Sequence, residues 1–175
     1  LPRVAELFEA RKPKDSAIIA ENDGVIEFGK EVRGKQKISI KSTSGEISNY
    51  LIPKGKHVNF NQGEKIKKGE YLLDGAPLPH DILRVLGVEK LTEYFVTEVQ
   101  EVYRMQGVVI NDKHIETIVR QMLKRVEIKD PGDSDLLMGE VIDLLEMNKI
   151  NDELRTNNKK PANYERVLLG ITKAS

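Results

Sequence analysis

Apolar residues recur in two textures along the chain, and each predicts a different kind of element. In LPRVAELFEAR (1–11), Leu1, Val4, Leu7 and Phe8 fall on one helical stripe, Pro2 suits a first helical turn, and Pro13 stops the helix. From Ala17 to about Leu73 the texture changes to short β-like runs: AIIAE, GVIEF, KISIK, EISNYLI, HVNF, EKI and EYLL. Turn signals separate them at Asp23-Gly24, Gly34, Ser44-Gly45, Lys54-Gly55, Gln62-Gly63 and Lys68-Gly69. Strands this short and closely spaced predict a small barrel or sandwich.

From His80 the periodicity becomes helical. Val88, Leu91, Phe95, Val99 and Val102 recur at intervals of three and four, and Gly107 offers a stop. Asp112 is the expected N-cap of a second helix that carries Ile115, Ile118, Val119, Met122 and Leu123 on one face. The short GVVIN loop between them predicts an antiparallel pair. After the polar loop DPGDSD, Val141, Ile142, Leu144 and Leu145 are expected to open a more acidic helix, and TNNKKPAN reads as a surface loop. The expected class is α+β. Its parts are a helix over 1–12, a β-rich region over 13–78, a helical pair over 79–128, and an acidic helix, loop and final segment over 129–175.

Composition narrows the chemistry. The 175 residues include no Cys, which excludes a disulfide scaffold, a zinc finger and a thiol nucleophile. Hydrophobic residues at 39% support a core, and no apolar run approaches the roughly 20 residues that span a bilayer. With no signal peptide, the expected location is cytoplasmic and no membrane partner is expected. Lys plus Arg equal Asp plus Glu at 28 each, so the chain is no polycation. The charge is nevertheless uneven: residues 1–87 hold 15 basic and 12 acidic side chains, and residues 88–175 hold 13 and 16. Lys30, Arg33, Lys35, Lys37 and Lys41 stand against Glu31 alone, and Lys54, Lys56, Lys65, Lys67 and Lys68 against Glu64 alone. The chain starts at Leu1 and stops at Ser175 just after Val167, Leu168 and Leu169, so it reads as a piece of a longer polypeptide. Such a piece would expose apolar faces that normally meet the remainder.

Candidate catalytic groups do not assemble. His57, His80 and His114 are isolated, and Glu116 lies two residues from His114, pointing away from it on a helix. Asp130, Asp133 and Asp135 lack the ligand ladder of a calcium loop. There is no GxSxG, P-loop or GxGxxG, so no catalytic or metal-binding residue is expected. The basic stretches are more informative. In KISIK, alternation places Lys37 and Lys41 on one strand face and Ile38 and Ile40 on the other. That cationic face could neutralise phosphates; equally, lysines keep a sheet soluble and blunt an edge strand. Aromatic residues do not interleave with the lysines, so the contact would be with backbone phosphates rather than stacked bases.

Two resemblances bear on this. KGKHVNFNQGEKIKKGEYLLDG, with Val58, Ile66 and Leu72 around turns at Gly63 and Gly69, resembles the paired turns of barrel-sandwich hybrid folds such as lipoyl and biotinyl carriers. No lysine stands in a carrier's MKM-type motif, so the fold would lack that chemistry; the alternative reading is a stand-alone adaptor of this type. More extensively, LPRVAELFEARKPKD (1–15), PHDILRVLGVEKLTEYFVTEVQEVYRMQGVVINDKHIETIVRQMLKRVEI (79–128) and LLGITKAS (168–175) closely resemble the C-terminal third of the β′ (largest-subunit) family of bacterial RNA polymerases. The resemblance implies a non-catalytic section of a nucleotidyltransferase. Its first helix would follow the trigger loop, its β-rich part would be a jaw and barrel-sandwich hybrid beside downstream duplex DNA, and LLGITKAS would lead into a clamp switch. Implied DNA-facing residues are Lys30, Arg33, Lys35, Lys37, Lys41 and, near the switch, Lys173. The implied partners are the β, α, ω and σ subunits, downstream DNA and regulators at the jaw, where Glu21 and Asp23 could meet basic proteins. The implied location is nucleoid-associated. The family's Mg²⁺-binding NADFDGD motif is absent here, so Mg²⁺, like the subunit's Zn²⁺, would lie elsewhere in the subunit.

Overall fold

Each strand-like run between Ala17 and Leu73 supplies a strand or a bridge in the computed structural model, which describes residues 2–13 and 15–175. Leu1, which the sequence places on the first helical stripe, lies outside the described residues. Six helices and nine strands are described, an α+β fold in which the chain divides into two compact units. One is the continuous stretch Lys12–Val88; the other joins the chain up to Arg11 with Glu89–Ser175.

The continuous unit holds β1 (Ile18–Ile19), β2 (Gly24–Val32), β3 (Lys35–Lys41), β4 (Ile47–Pro53), β5 (Lys65–Ile66), β6 (Tyr71–Leu73) and the helix α2 (Pro79–Leu86). β4, β3, β2 and β5 form one antiparallel sheet in that order, and β1 pairs with β6 in a second. Both sheets contribute to a single core: Ile26, Ile38, Ile40, Ile52 and Ile66 from the larger, Leu72 and Leu73 from the smaller, with Ala20 between. Burying β-branched side chains on one face of a pleat is what the period-two pattern of KISIK dictates. Arg33 and Gly34 close the β2–β3 hairpin with φ of 51° and 77°, the two positive values that a two-residue turn of matching twist requires. α2 is fastened by Arg84, which pairs with both Glu21 and Asp81. Both carboxylates hydrogen-bond the guanidinium and raise its pKa further above its ordinary value.

The discontinuous unit is built from α1 (Pro2–Phe8), α3 (Val88–Met105), α4 (Asp112–Met122), β7 (Arg125–Asp130), β8 (Val141–Asp143), α5 (Leu144–Thr156), β9 (Asn163–Arg166) and α6 (Ile171–Ala174). The three-four spacing of α3 buries Leu91, Phe95 and Val99, and that of α4 buries Ile115, Val119 and Met122. Phe8 of α1 stacks on Phe95, ring centroids 6.4 Å apart, while Arg3 donates to the Tyr94 hydroxyl at 3.0 Å. The first and last segments also meet: Thr172 Oγ1 donates to Glu9 Oε1 at 2.6 Å, and a Cβ at Gly170 would lie 2.6 Å from the Glu9 carbonyl oxygen.

Two local expectations are corrected. The N-cap of α4 is Asn111, whose side chain accepts from the Lys113 N–H, and Asp112 is the first helical residue. Val141 and Ile142 do not begin a helix. They pair with Glu127 and Val126 as β8, and Asp143 then caps α5 by accepting from the Leu145 N–H. The sequence also gave no sign of the three-stranded antiparallel sheet β8–β7–β9, which packs Val126 and Ile128 on Met147 and Ala162.

Candidate nucleic-acid interface

The β2–β3 hairpin determines where the predicted cations go. Ile38 and Ile40 of β3 are fully buried, so Ser39 between them, with Lys35, Lys37 and Lys41 on either side, belongs to the opposite face of the strand. β3 lies between β4 and β2 in the sheet, so its lysines do not serve to blunt an edge. Arg33 is at the hairpin turn. Lys30 falls in a bulge of β2, where three residue steps from Phe28 to Glu31 oppose two from Ile38 to Gln36. Gln36 stabilises that bulge by donating from Nε2 to the carbonyls of Gly29 and Lys37, at 2.6 and 3.1 Å. The bulge also brings Gly29 under Lys37: an ideal Cβ on Gly29 would touch the lysine's methylenes at 3.5 Å, ordinary contact. The lysine stem can therefore cover apolar backbone while its ammonium reaches water.

Five of the six predicted cations thus belong to one hairpin. The sixth, Lys173, is exposed in α6 of the other compact unit. The five are not equivalent. Lys41 Nζ lies 3.7 Å from Glu27 Oε2 on the neighbouring strand, an ion pair across the outer face that the sequence count around residues 30–41 did not include. Glu31, the one acid in that count, pairs instead with Lys54 at 3.6 Å. Lys30, Arg33, Lys35 and Lys37 make no ion pair among the described residues, leaving four uncompensated positive charges on the hairpin. Register finds Glu27: it lies opposite Ser39, and Lys41, two residues beyond Ser39, is its diagonal neighbour on the same face.

In the second basic stretch two of the five lysines are paired, while the exposed Lys65, Lys67 and Lys68 make no ion pair among the described residues. Lys54 is bound to Glu31, and Lys56 donates to Asp15 Oδ1 at 3.0 Å. Both therefore help hold loops of their own unit. The acids named as possible contacts for basic proteins are also engaged: Glu21 pairs with Arg84, and Asp23 Oδ1 accepts from the Lys68 N–H at 2.6 Å. Tyr50, whose hydroxyl accepts from the Glu21 N–H at 2.9 Å, has its pKa raised chiefly by burial.

No group of three or more His, Asp or Glu is arranged to hold a metal ion among the described residues. No helix among the described residues is long and apolar enough to cross a membrane.

Comparison with known proteins places these features in a family. RNA polymerase Rpb1, domain 5, matches residues 7–175. The chain is similar to the DNA-directed RNA polymerase subunit beta' of Syntrophobacter fumaroxidans (strain DSM 10017 / MPOB), with 58% identity over 175 residues. That alignment covers all of this chain and 13% of the relative's length, so the chain spans a small part of the relative it matches. With an α+β fold and nearly the whole chain matched, this protein belongs to the RNA polymerase Rpb1 domain 5 family.

Proposed function

We propose that the chain is a section of the largest subunit of a DNA-directed RNA polymerase. In this reading the β-rich unit is a jaw surface beside downstream duplex DNA, and the helical unit is scaffold. The observation that carries the DNA role is the hairpin: Lys30, Arg33, Lys35 and Lys37 make no ion pair among the described residues, and Lys35 and Lys37 stand on a strand anchored by the buried Ile38 and Ile40. Cations on a rigid strand can neutralise phosphates with little ordering cost, and each such contact releases counterions. Because aromatic side chains do not interleave with them, the contact would be indifferent to base sequence. Lys173 would provide a separate contact near the clamp switch.

The section would itself be inactive. Nucleotidyl transfer would belong to Mg²⁺ held by another part of the subunit, and Zn²⁺ likewise would bind elsewhere. Its partners would be the β, α, ω and σ subunits, downstream DNA and proteins that regulate the jaw, in a nucleoid-associated complex. A stand-alone carrier or adaptor is not supported, because the sequence aligns along its whole length to a section of a much longer relative.

The test is the size of the native polypeptide. An antibody against these residues should detect a band many times larger than 19.8 kDa that co-purifies with DNA-dependent RNA synthesis. A band near that mass, separate from polymerase activity, would contradict the proposal.

A further inference from the structure

Seven of the ten residues from Leu136 to Leu145 are apolar, and they face two ways. Leu136, Ile142 and Leu144 lie against the cluster of Val126, Ile128, Met147 and Ala162. Leu137, Met138, Val141 and Leu145 are exposed, at 71%, 74%, 45% and 73%. The turn presenting them is well fixed. The Glu140 N–H donates to the Leu137 carbonyl at 3.1 Å, the Glu140 carboxylate accepts from the Leu137 N–H at 3.2 Å, and Gly139 supplies the positive φ of 86°. A turn meant only for water favours short polar side chains; this one displays large apolar ones on an ordered frame.

Within the segment itself the charge has one sign, while Lys159 of a later loop lines a cavity together with Asp133 and Asp135. Asp130, Asp133, Asp135, Glu140, Asp143 and Glu146 fall between residues 130 and 146, and no Lys or Arg does. Lys160 balances Asp130 at 3.3 Å, while none of the other five takes part in an ion pair among the described residues. An apolar centre with an acidic rim repels nucleic acid and matches a segment of opposite charge that brings its own apolar side chain.

We propose that the β7–β8 turn and the first turn of α5 form a docking surface for a basic protein segment with an apolar anchor, supplied by another part of the same long polypeptide. This source rests on the reading that the chain is a section of a large subunit. The relative's length leaves most of such a polypeptide outside these residues, and a covalent tether raises the effective concentration of any segment within reach.

Photo-crosslinking in the full-length subunit, within the purified polymerase, tests it. p-Benzoylphenylalanine is placed at Met138, at Leu145 in a second variant, and at the exposed Asn158 as control. The expected product is an intrachain crosslink at both test positions, several-fold above the control. Peptide mass spectrometry should map it to a segment rich in Lys or Arg. Adding Asp135→Lys and Glu146→Lys should reduce its yield several-fold. Yield equal to the control, insensitivity to the charge reversals, or a crosslink to nucleic acid, another subunit or a second copy would overturn the proposal. Native size, read with the antibody on untreated lysate, tests the larger-subunit reading separately: a native band near 19.8 kDa would remove that reading and with it the proposed source, whereas a large native chain without crosslinks would remove the docking surface alone.

Discussion

The two compact units solve the burial problem in opposite ways. Lys12–Val88 is one unbroken stretch whose strands pair mostly with near neighbours and whose turns are written locally as glycine-centred pairs. The other unit is assembled from two stretches separated in sequence, so contacts between distant residues must hold it closed. Phe8 against Phe95, Arg3 against Tyr94 and Thr172 against Glu9 are of that kind. The continuous unit can therefore devote an outer strand face to cations, because its closure does not depend on that face. In the discontinuous unit, by contrast, the packing of α1 depends on long-range contacts.

Truncating the buried aromatic stack should loosen one unit and spare the other. Phe95→Ala removes a fully buried ring and the stack with Phe8, and should cost about 3–5 kcal/mol. Hydrogen exchange followed by mass spectrometry should show protection lost in α1, α3 and α4, with β2–β4 unchanged. Protection lost equally in β2–β4 would mean that the units do not unfold separately. A smaller effect sharpens the contrast inside the discontinuous unit. Asn151 is buried and bonds both backbone groups of Ala162, donating at 3.1 Å and accepting at 2.8 Å. Asn151→Ala strands both groups and should cost about 2–3 kcal/mol in denaturant titration. Asn151→Asp should recover part of that loss, since its carboxylate can still accept from the Ala162 N–H.

What the sequence disclosed follows the same division. KISIK and its neighbours announce their faces because the turns are local and the alternation strict, so the buried Ile38 and Ile40 and the outward Lys37 were readable. RVEIKD has the same alternation, yet it follows directly on α4, and its partners lie beyond loops of ten or more residues. Pairing over that separation leaves no turn signal, so Val141 and Ile142 passed for the start of a helix whose first residue is Leu144. The candidate interface was readable as a list of charges but not as a charge balance. Glu27 reaches Lys41 only through strand register, and the bulge at Gly29 and Lys30 is invisible without it.

The smallest predicted effect concerns pH. The Gly132 N–H, donating at 3.0 Å, and then the Lys160 ammonium hold the Asp130 carboxyl below its ordinary value of 3.8. A carboxylate with a depressed pKa stabilises the fold above that ordinary value and ceases to do so as pH falls through its lower, folded value. The Gly132 amide resonance should therefore titrate below pH 3.8, and titration at or above it would show the contact to be unimportant.

The proposed contact of the hairpin with DNA predicts that the salt dependence of duplex-DNA binding by the purified polymerase depends on its unpaired lysines. Replacing Lys35 and Lys37 by Ala should flatten the slope of log K against log salt by roughly 0.9 for each phosphate contact removed. Lys41→Ala should change it less, because Glu27 already balances that charge at 3.7 Å. An unchanged slope in the Lys35 and Lys37 variant, with the complex otherwise intact, would contradict the assignment of this face to DNA.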